Sequence, residues 1–116
     1  MQKTNPVLQR TIKELEEAGR KNDAPVYERA AEELSQANRR QVEVNLSRIE
    51  RNAEDSDTVL VPGKVLGSGF LDTDVTVAAF DFSRSAREAI EETGETKFVE
   101  DLVDENPDGA EVQLIA

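Results

Sequence analysis

The stretch DVTVAAFDFS, Asp74 to Ser83, carries small or apolar side chains on both alternating faces from Val75 to Phe82. A strand wetted on one side would alternate polar and apolar residues, so this pattern predicts a central strand covered on both faces, as in an α/β protein. Downstream, Ser83 or Ser85 caps a helix. The Ser85-x-x-Glu88 spacing fits a capping box, Ala86, Ala89 and Ile90 face inward, and Gly94 closes the helix. Thr96 to Phe98 reads as a short strand. Val99 to Glu105, with Val99, Leu102 and Val103 inward, reads as a helix stopped by Asn106-Pro107, and Asp108-Gly109 turns the chain into a closing strand, Val112 to Ile115.

Upstream, Thr58 to Val61 reads as a buried strand and Pro62-Gly63 as a turn. Lys64 to Leu66 is a second extended piece, and Gly67-Ser68-Gly69 a flexible loop. A helix opens at Asn45 with Leu46, Ile49 and Ala53 on one side, and the cluster Glu54 to Asp57 ends it. At 100° per residue Arg48 and Arg51 point away from that apolar side. Asn5-Pro6 opens the first helix, where Leu8, Ile12 and Leu15 recur on one face and Gly19 is the expected stop. A second helix starts at Asp23 to Pro25, with Tyr27, Ala30, Ala31 and Leu34 as its stripe, and Ser35 to Gln41 is a polar loop carrying Arg39-Arg40.

With 116 residues the chain supports one domain and a small core, since 37% of residues are hydrophobic and the aromatics are only Phe70, Phe80, Phe82, Phe98 and Tyr27. There is no cysteine and no histidine, which excludes disulfides, cysteine nucleophiles, zinc sites and Ser-His-Asp triads. The absence of a long apolar run and of an apolar amino-terminal segment predicts a soluble, cytoplasmic protein. Charge is unevenly placed. Residues 1 to 51 hold ten Lys and Arg against nine Asp and Glu, whereas residues 52 to 116 hold four against sixteen, giving +1 and −12 and a total of −11. Acidic excess with only five lysines against nine arginines points to a saline cytoplasm, because at molar salt the Debye length falls to roughly 3 Å and carboxylate repulsion is screened.

The glycines from Gly63 to Gly69 invite a nucleotide-loop reading that their order rejects. A Walker A loop places its lysine after the last glycine and before a helix, but Lys64 precedes Gly67 and Gly69; a dinucleotide fingerprint needs a third glycine where Asp72 stands. The remaining readings are a structural turn or contact with an RNA backbone. The carboxylate pairs Asp72/Asp74, Glu91/Glu92, Glu100/Asp101 and Asp104/Glu105 follow from the acidic composition and belong to a solvated face. Asp81, inside the apolar strand, is expected to cap the following helix through backbone amides. The basic constellation is Arg39, Arg40, Arg48 and Arg51, with Asn45 and Ser47 as neutral donors. It either pairs with Glu43, Glu50 and Glu54 or faces a polyanion. The second reading is favoured because a chain that has otherwise shed basic residues keeps these, as arginines, whose planar fork makes bidentate bonds to phosphate.

Three motifs in this order and spacing, RRQVEVNLSRIER (Arg39 to Arg51), VLVPGKVLGSG (Val59 to Gly69) and DVTVAAFDFS (Asp74 to Ser83), resemble the archaeal and eukaryotic large-subunit ribosomal proteins of the L-eighteen-e family. That family shares the fold of the bacterial L-fifteen proteins. The resemblance runs from KTNP (Lys3 to Pro6) to the closing VQLIA, and acidity points to a haloarchaeon. It implies an irregular β-β-α superhelix preceded by an N-terminal helical arm, with residues 1–38 as arm and hairpin and 39–116 as the β-β-α core of one 1–116 domain. It also implies a ribosomal RNA binder without catalytic activity. By resemblance, Arg39, Arg40, Asn45, Ser47 and Arg48 are similar to the family's basic RNA-facing motif. Gly63, Lys64, Gly67, Ser68 and Gly69 match its glycine turn and loop, and Lys3, Thr4 and Asn5 its RNA-contacting start. One departure is Ala116, where relatives often carry a basic residue.

The expected role is that of a structural constituent of the large ribosomal subunit, bracing its rRNA beside neighbouring ribosomal proteins through these residues and the outward-facing Arg51. No metal, cofactor, membrane or small-molecule substrate is expected. The acidic second half is expected to face solvent or neighbouring proteins. A small acidic protein-interaction adaptor and a phosphate-handling enzyme are the rival readings.

Overall fold

The computed structural model describes residues 6–36, 42–53 and 58–116. In chain order they form α1 (Pro6–Lys21), α2 (Pro25–Gln36), β1 (Glu43–Asn45), α3 (Leu46–Asn52), β2 (Thr58–Leu66), β3 (Thr76–Phe82), α4 (Arg84–Thr93), β4 (Glu95–Phe98), α5 (Val99–Glu105) and β5 (Val112–Leu114). Every pairing among these strands is parallel, in the order β1-β2-β3-β4 with β5 also on β2. β3 runs along one edge of β2, so β5, beside Thr58–Leu60, and β1, beside Lys64–Leu66, share the other edge at its two ends. Parallel neighbours require crossovers: α3 lies in the one between β1 and β2 and α4 in the one between β3 and β4, α5 leads from β4 to β5, and β2 reaches β3 through residues 67–75 without a helix. The fold is α/β, as the sequence predicts.

The sheet separates two apolar clusters. Val59, Val61, Val65, Val77 and Ala79 face Leu46 and Ile49 of α3 and Ala86 and Ile90 of α4. Leu60 and Ala78 face the other way, onto Leu15, Tyr27, Ala30, Ala31 and Leu34 of the α1–α2 hairpin and Val99 and Leu102 of α5. This explains why VTVAAFDF shows no wet face in its first half. Each fully buried Val, Leu or Ile contributes roughly 1.5–3 kcal/mol. The largest buried side chain is Tyr27, whose hydroxyl donates to the backbone oxygen of Asn106; burial, and secondarily the charge of Asp108, pushes its phenol up to about 12.

Several expectations are corrected. Gly19 does not stop α1, which ends at Lys21; Asn22 closes it by bonding Ala18 O through its backbone and side chain, and Asp23 turns away at φ 51°. Gly19 is small because a Cβ there would lie 2.4 Å from Glu28 Cγ, where the two helices meet. Pro62-Gly63 is not a turn but a bulge inside one continuous strand, the register with β3 shifting between Val61 and Lys64. Ser83, not Ser85, caps α4, its hydroxyl accepting from Ala86 N at 3.2 Å. Asp81 takes no part in that cap, since its carboxylate accepts from Phe82 N and points to solvent. The short strand β1 stands where the sequence shows only the approach to a helix. The proposed helix terminator at 54–57 lies outside the described residues.

Candidate nucleic-acid interface

The carboxyl ends of β1, β2 and β3 lie along one edge of the sheet, and from them leave α3, the β2–β3 loop and α4. Asn45 starts α3 because its Oδ1 accepts from Arg48 N at 3.0 Å, and it also takes the Ser47 hydroxyl at 2.9 Å. The loop between β2 and β3 is held between the two helix starts. A Cβ on Gly67 would lie 2.1 Å from Ser85 Oγ, and one on Gly69 2.6 Å from Ser47 Cβ. Gly69 also sits at φ +92°, which a side chain would strain. Ser68 O accepts from Leu46 N at 2.9 Å, and Leu71 is buried.

Glu50 completes the anchoring. Its Oε1 accepts from Asp72 N at 2.9 Å, Thr73 N at 3.1 Å and Thr73 Oγ1 at 3.0 Å. Those bonds, the Asp72 amide first, hold the Glu50 carboxyl below the ordinary carboxylate value. The loop predicted to be flexible is thus packed on both sides and tied down at its far end, so its glycines serve close approach rather than looseness.

Of the residues singled out in the sequence, Asn45, Ser47, Arg48, Gly67, Ser68 and Gly69 come together on this rim. Arg48 and Arg51 are exposed. The Arg48 guanidinium donates to the backbone oxygen of Ala116, and neither arginine forms an ion pair among the described residues. Pairing with Glu43 or Glu50 is therefore not what α3 does, and Glu54 lies outside the described residues. Lys64 stands in register between Glu43 and Asp81 without an ion pair to either at 4.0 Å. Gly63 is buried at the bulge, where a Cβ would lie 2.1 Å from Val42 O and Lys64 N donates to that same oxygen at 2.8 Å. Lys3, Thr4, Asn5, Arg39 and Arg40 lie outside the described residues.

Three residues on the rim were not singled out as site residues. Phe70 projects from the loop with 68% of its surface exposed, and Arg84, next to the cap of α4, has 92% of its side chain exposed. In the sequence Glu50 reads as an ion-pair partner, whereas it is the loop's anchor. Only Phe70 had a local signal, an aromatic that follows Gly69 and stands one residue before the polar run Asp72 to Asp74.

In each of the acidic pairs on α4 and α5 one carboxylate is engaged with its own surroundings. Arg10 and the Thr11 hydroxyl both reach Glu100 at 3.3 Å, Lys97 meets Glu105, and Glu91 accepts from Thr96 and Arg87. Among the described residues no group of three or more carboxylates is placed to hold a metal ion. No helix among them is long and apolar enough to cross a membrane.

Residues 9–96 match the model of a family described as ribosomal proteins 50S-L15, 50S-L18e and the 60S protein L-twenty-seven-A. The chain is 48% identical over 115 residues to "Large ribosomal subunit protein eL18" of Haloarcula marismortui, covering 99% of both chains. It is 49% identical over 116 residues to the protein of that name in Halobacterium salinarum, again covering 99% of each. To its counterpart in Methanococcus maripaludis it is 46% identical over 114 residues, covering 97% of this chain and 95% of the relative.

Proposed function

Because the chain belongs to the family of large-subunit ribosomal proteins that unites 50S-L15, 50S-L18e and the 60S protein L-twenty-seven-A, we propose that it braces large-subunit rRNA through the rim at the carboxyl ends of β1, β2 and β3. It is a structural component of the cytoplasmic large ribosomal subunit and not an enzyme. The contacting residues are Arg39, Arg40, Asn45, Ser47, Arg48 and Arg51 around α3, and Lys64, Gly67, Ser68 and Gly69 from the β2–β3 connection. Lys3, Thr4 and Asn5 add the amino-terminal contact, and Gly63 contributes by letting β1 sit close enough to β2 to place α3. Neighbouring ribosomal proteins meet the acidic surface carried by residues 52–116.

The observation that supports this reading is the state of the arginines on α3. Glu50, which lies between them in sequence, is committed to three donors of the β2–β3 loop, and among the described residues Arg51 has no Asp or Glu partner while Arg48 donates to a main-chain oxygen of Ala116. A planar donor group on a rigid support, beside backbone exposed by glycines, suits phosphates and sugar hydroxyls of folded RNA, which is recognised by shape more than by base sequence. In concentrated salt long-range attraction is screened, so such short-range bonds dominate.

The test is a variant in which Arg39, Arg40 and Arg48 are all alanine, reconstituted into large subunits and washed with rising KCl. Retention is expected to be lost at lower salt. The slope of log affinity against log salt should become shallower by about 0.7–0.9 for each phosphate contact removed. Unchanged retention and slope would place the RNA contact elsewhere on the molecule.

A further inference from the structure

Phe70 is the most exposed of the large apolar residues among those described: 68%, against 48% for Val7 and 45% for Phe98. The other two have a structural setting, since both line a shallow cavity of about 250 Å³ between α1, β3 and α5. Phe70 does not. It is held outward by its neighbours, because Gly69 is fixed against Ser47 on one side and Leu71 is sunk in the core on the other. Glu50 then pins Asp72 and Thr73. The backbone cannot rotate to bury the ring without breaking one of these anchors.

We propose that Phe70 is a stacking platform for an unpaired base of the large-subunit rRNA, an inference that rests on the interface reading above. The ring is carried by the loop that packs on Ser47 and Ser85, each the sequence neighbour of an exposed arginine, Arg48 or Arg84. Further along the loop stand Asp72 and Asp74, both exposed carboxylates, so this end of the loop, unlike the Gly67–Gly69 end, does not favour phosphate. A neutral aromatic face is the contact that such a spot supports, because every base has a π-face and stacking survives salt that weakens phosphate attraction. The arginines then hold the backbone on either side while the ring takes the base. Preorganisation adds to this, since the rigid loop loses little conformational freedom on binding.

The test is titration of the full chain with large-subunit rRNA freed of protein, at several KCl concentrations, for the wild type and for Phe70→Ala, Phe70→Leu and Phe70→Trp. Phe70→Ala is expected to weaken binding by about five- to a hundredfold with an unchanged salt slope, since no phosphate contact is lost. Phe70→Leu should bind no better than alanine, and Phe70→Trp should match or exceed the wild type. If alanine binds like phenylalanine, or leucine restores the affinity in full, the ring does not stack on a base and the proposal is overturned, while the arginine interface stands. If the wild type itself does not bind the RNA, the interface reading falls and takes this inference with it.

Discussion

The two sides of the sheet are built by different means. Toward α1, α2 and α5 the core is filled by volume, with Leu15, Tyr27, Leu34, Leu60 and Leu102 interleaved, and the close approaches there, Gly19 to Glu28 and Gly109 to Val26, do not involve the sheet. Toward α3 and α4 the backbones themselves approach: Gly63 lies under Val42, Gly67 against Ser85, and Gly69 against Ser47, each where a Cβ would be less than 3 Å from a neighbour. Volume gives stability that tolerates small shifts. Close approach gives a surface whose shape is fixed to fractions of an ångström, which a molecule that recognises RNA by shape requires. Ion pairing does not follow this division. Arg84, Arg87 and Lys97, along α4 and β4, each meet a glutamate of the chain. The exposed arginines of α3 meet none among the described residues. Lys13, Arg20, Lys21 and Arg29 on the helical hairpin also lack an ion pair among the described residues, so an unpaired cation does not by itself mark an interface. What distinguishes α3 is that its own carboxylate, Glu50, is turned onto the loop.

The largest effect is expected on the volume side. Leu34→Ala removes a side chain that is 1% exposed and leaves a cavity between α2 and the sheet, at a cost of about 2–5 kcal/mol. Denaturant unfolding in concentrated KCl should show a lower midpoint with the same slope. Binding to rRNA, measured where the variant is still folded, should be unchanged, because α3 and the loop belong to the other cluster. A variant that loses RNA binding while folded would break the division between the two sides.

Gly63→Ala sharpens the division from the other direction. The added methyl group meets a backbone oxygen, Val42 O, which cannot rotate aside, so β1 must move off β2. Overpacking of this kind costs about 1–3 kcal/mol, less than Leu34→Ala. The expected consequence for RNA is greater, since β1 leads into Asn45 and α3. At matched stability, retention on salt-washed subunits should fall for Gly63→Ala and not for Leu34→Ala. Equal retention would mean that the position of α3 does not matter for the contact.

This residue also shows where the sequence stops being readable. Taken locally, Pro62-Gly63 is a turn signal; only the register of β3 beyond it and the backbone of Val42 above it make it a bulge, and both are distant in the chain. β1 is hidden for the same reason, because three residues become a strand by pairing with Lys64–Leu66 and not by their own preference. Gly19 reads as a stop because its partner, Glu28, lies on the next helix. Where local chemistry decides, the reading succeeds: the stripe Tyr27, Ala30, Ala31 and Leu34 is the buried face of α2, α5 ends before Asn106-Pro107, and Gly109 turns at φ 69°. The arginine motif is legible as a chemical type. That Glu50 turns to the loop is not, because its donors, Asp72 and Thr73, lie more than twenty residues further along the chain.

Glu50→Gln tests that choice with the smallest perturbation. The carboxylate accepts from Asp72 N, the Thr73 hydroxyl and Thr73 N, and its folded value therefore lies below the ordinary 4.5. A depressed value means that the stabilisation is present above 4.5 and is lost as pH falls through the lowered folded value. Glutamine keeps an acceptor oxygen but cannot titrate, and as a neutral acceptor it binds these donors less strongly. The expected outcome is that the Thr73 amide resonance of the wild type shifts on acidification with a component whose midpoint lies below 4.5, and that this component is missing from Glu50→Gln. Wild-type RNA affinity should decline in parallel beyond whatever the other carboxylates cause, and the variant provides that correction because it shares all of them. Identical titrations in the two proteins would show that another group holds the loop, and the rigidity attributed to this side of the sheet would then need a different source.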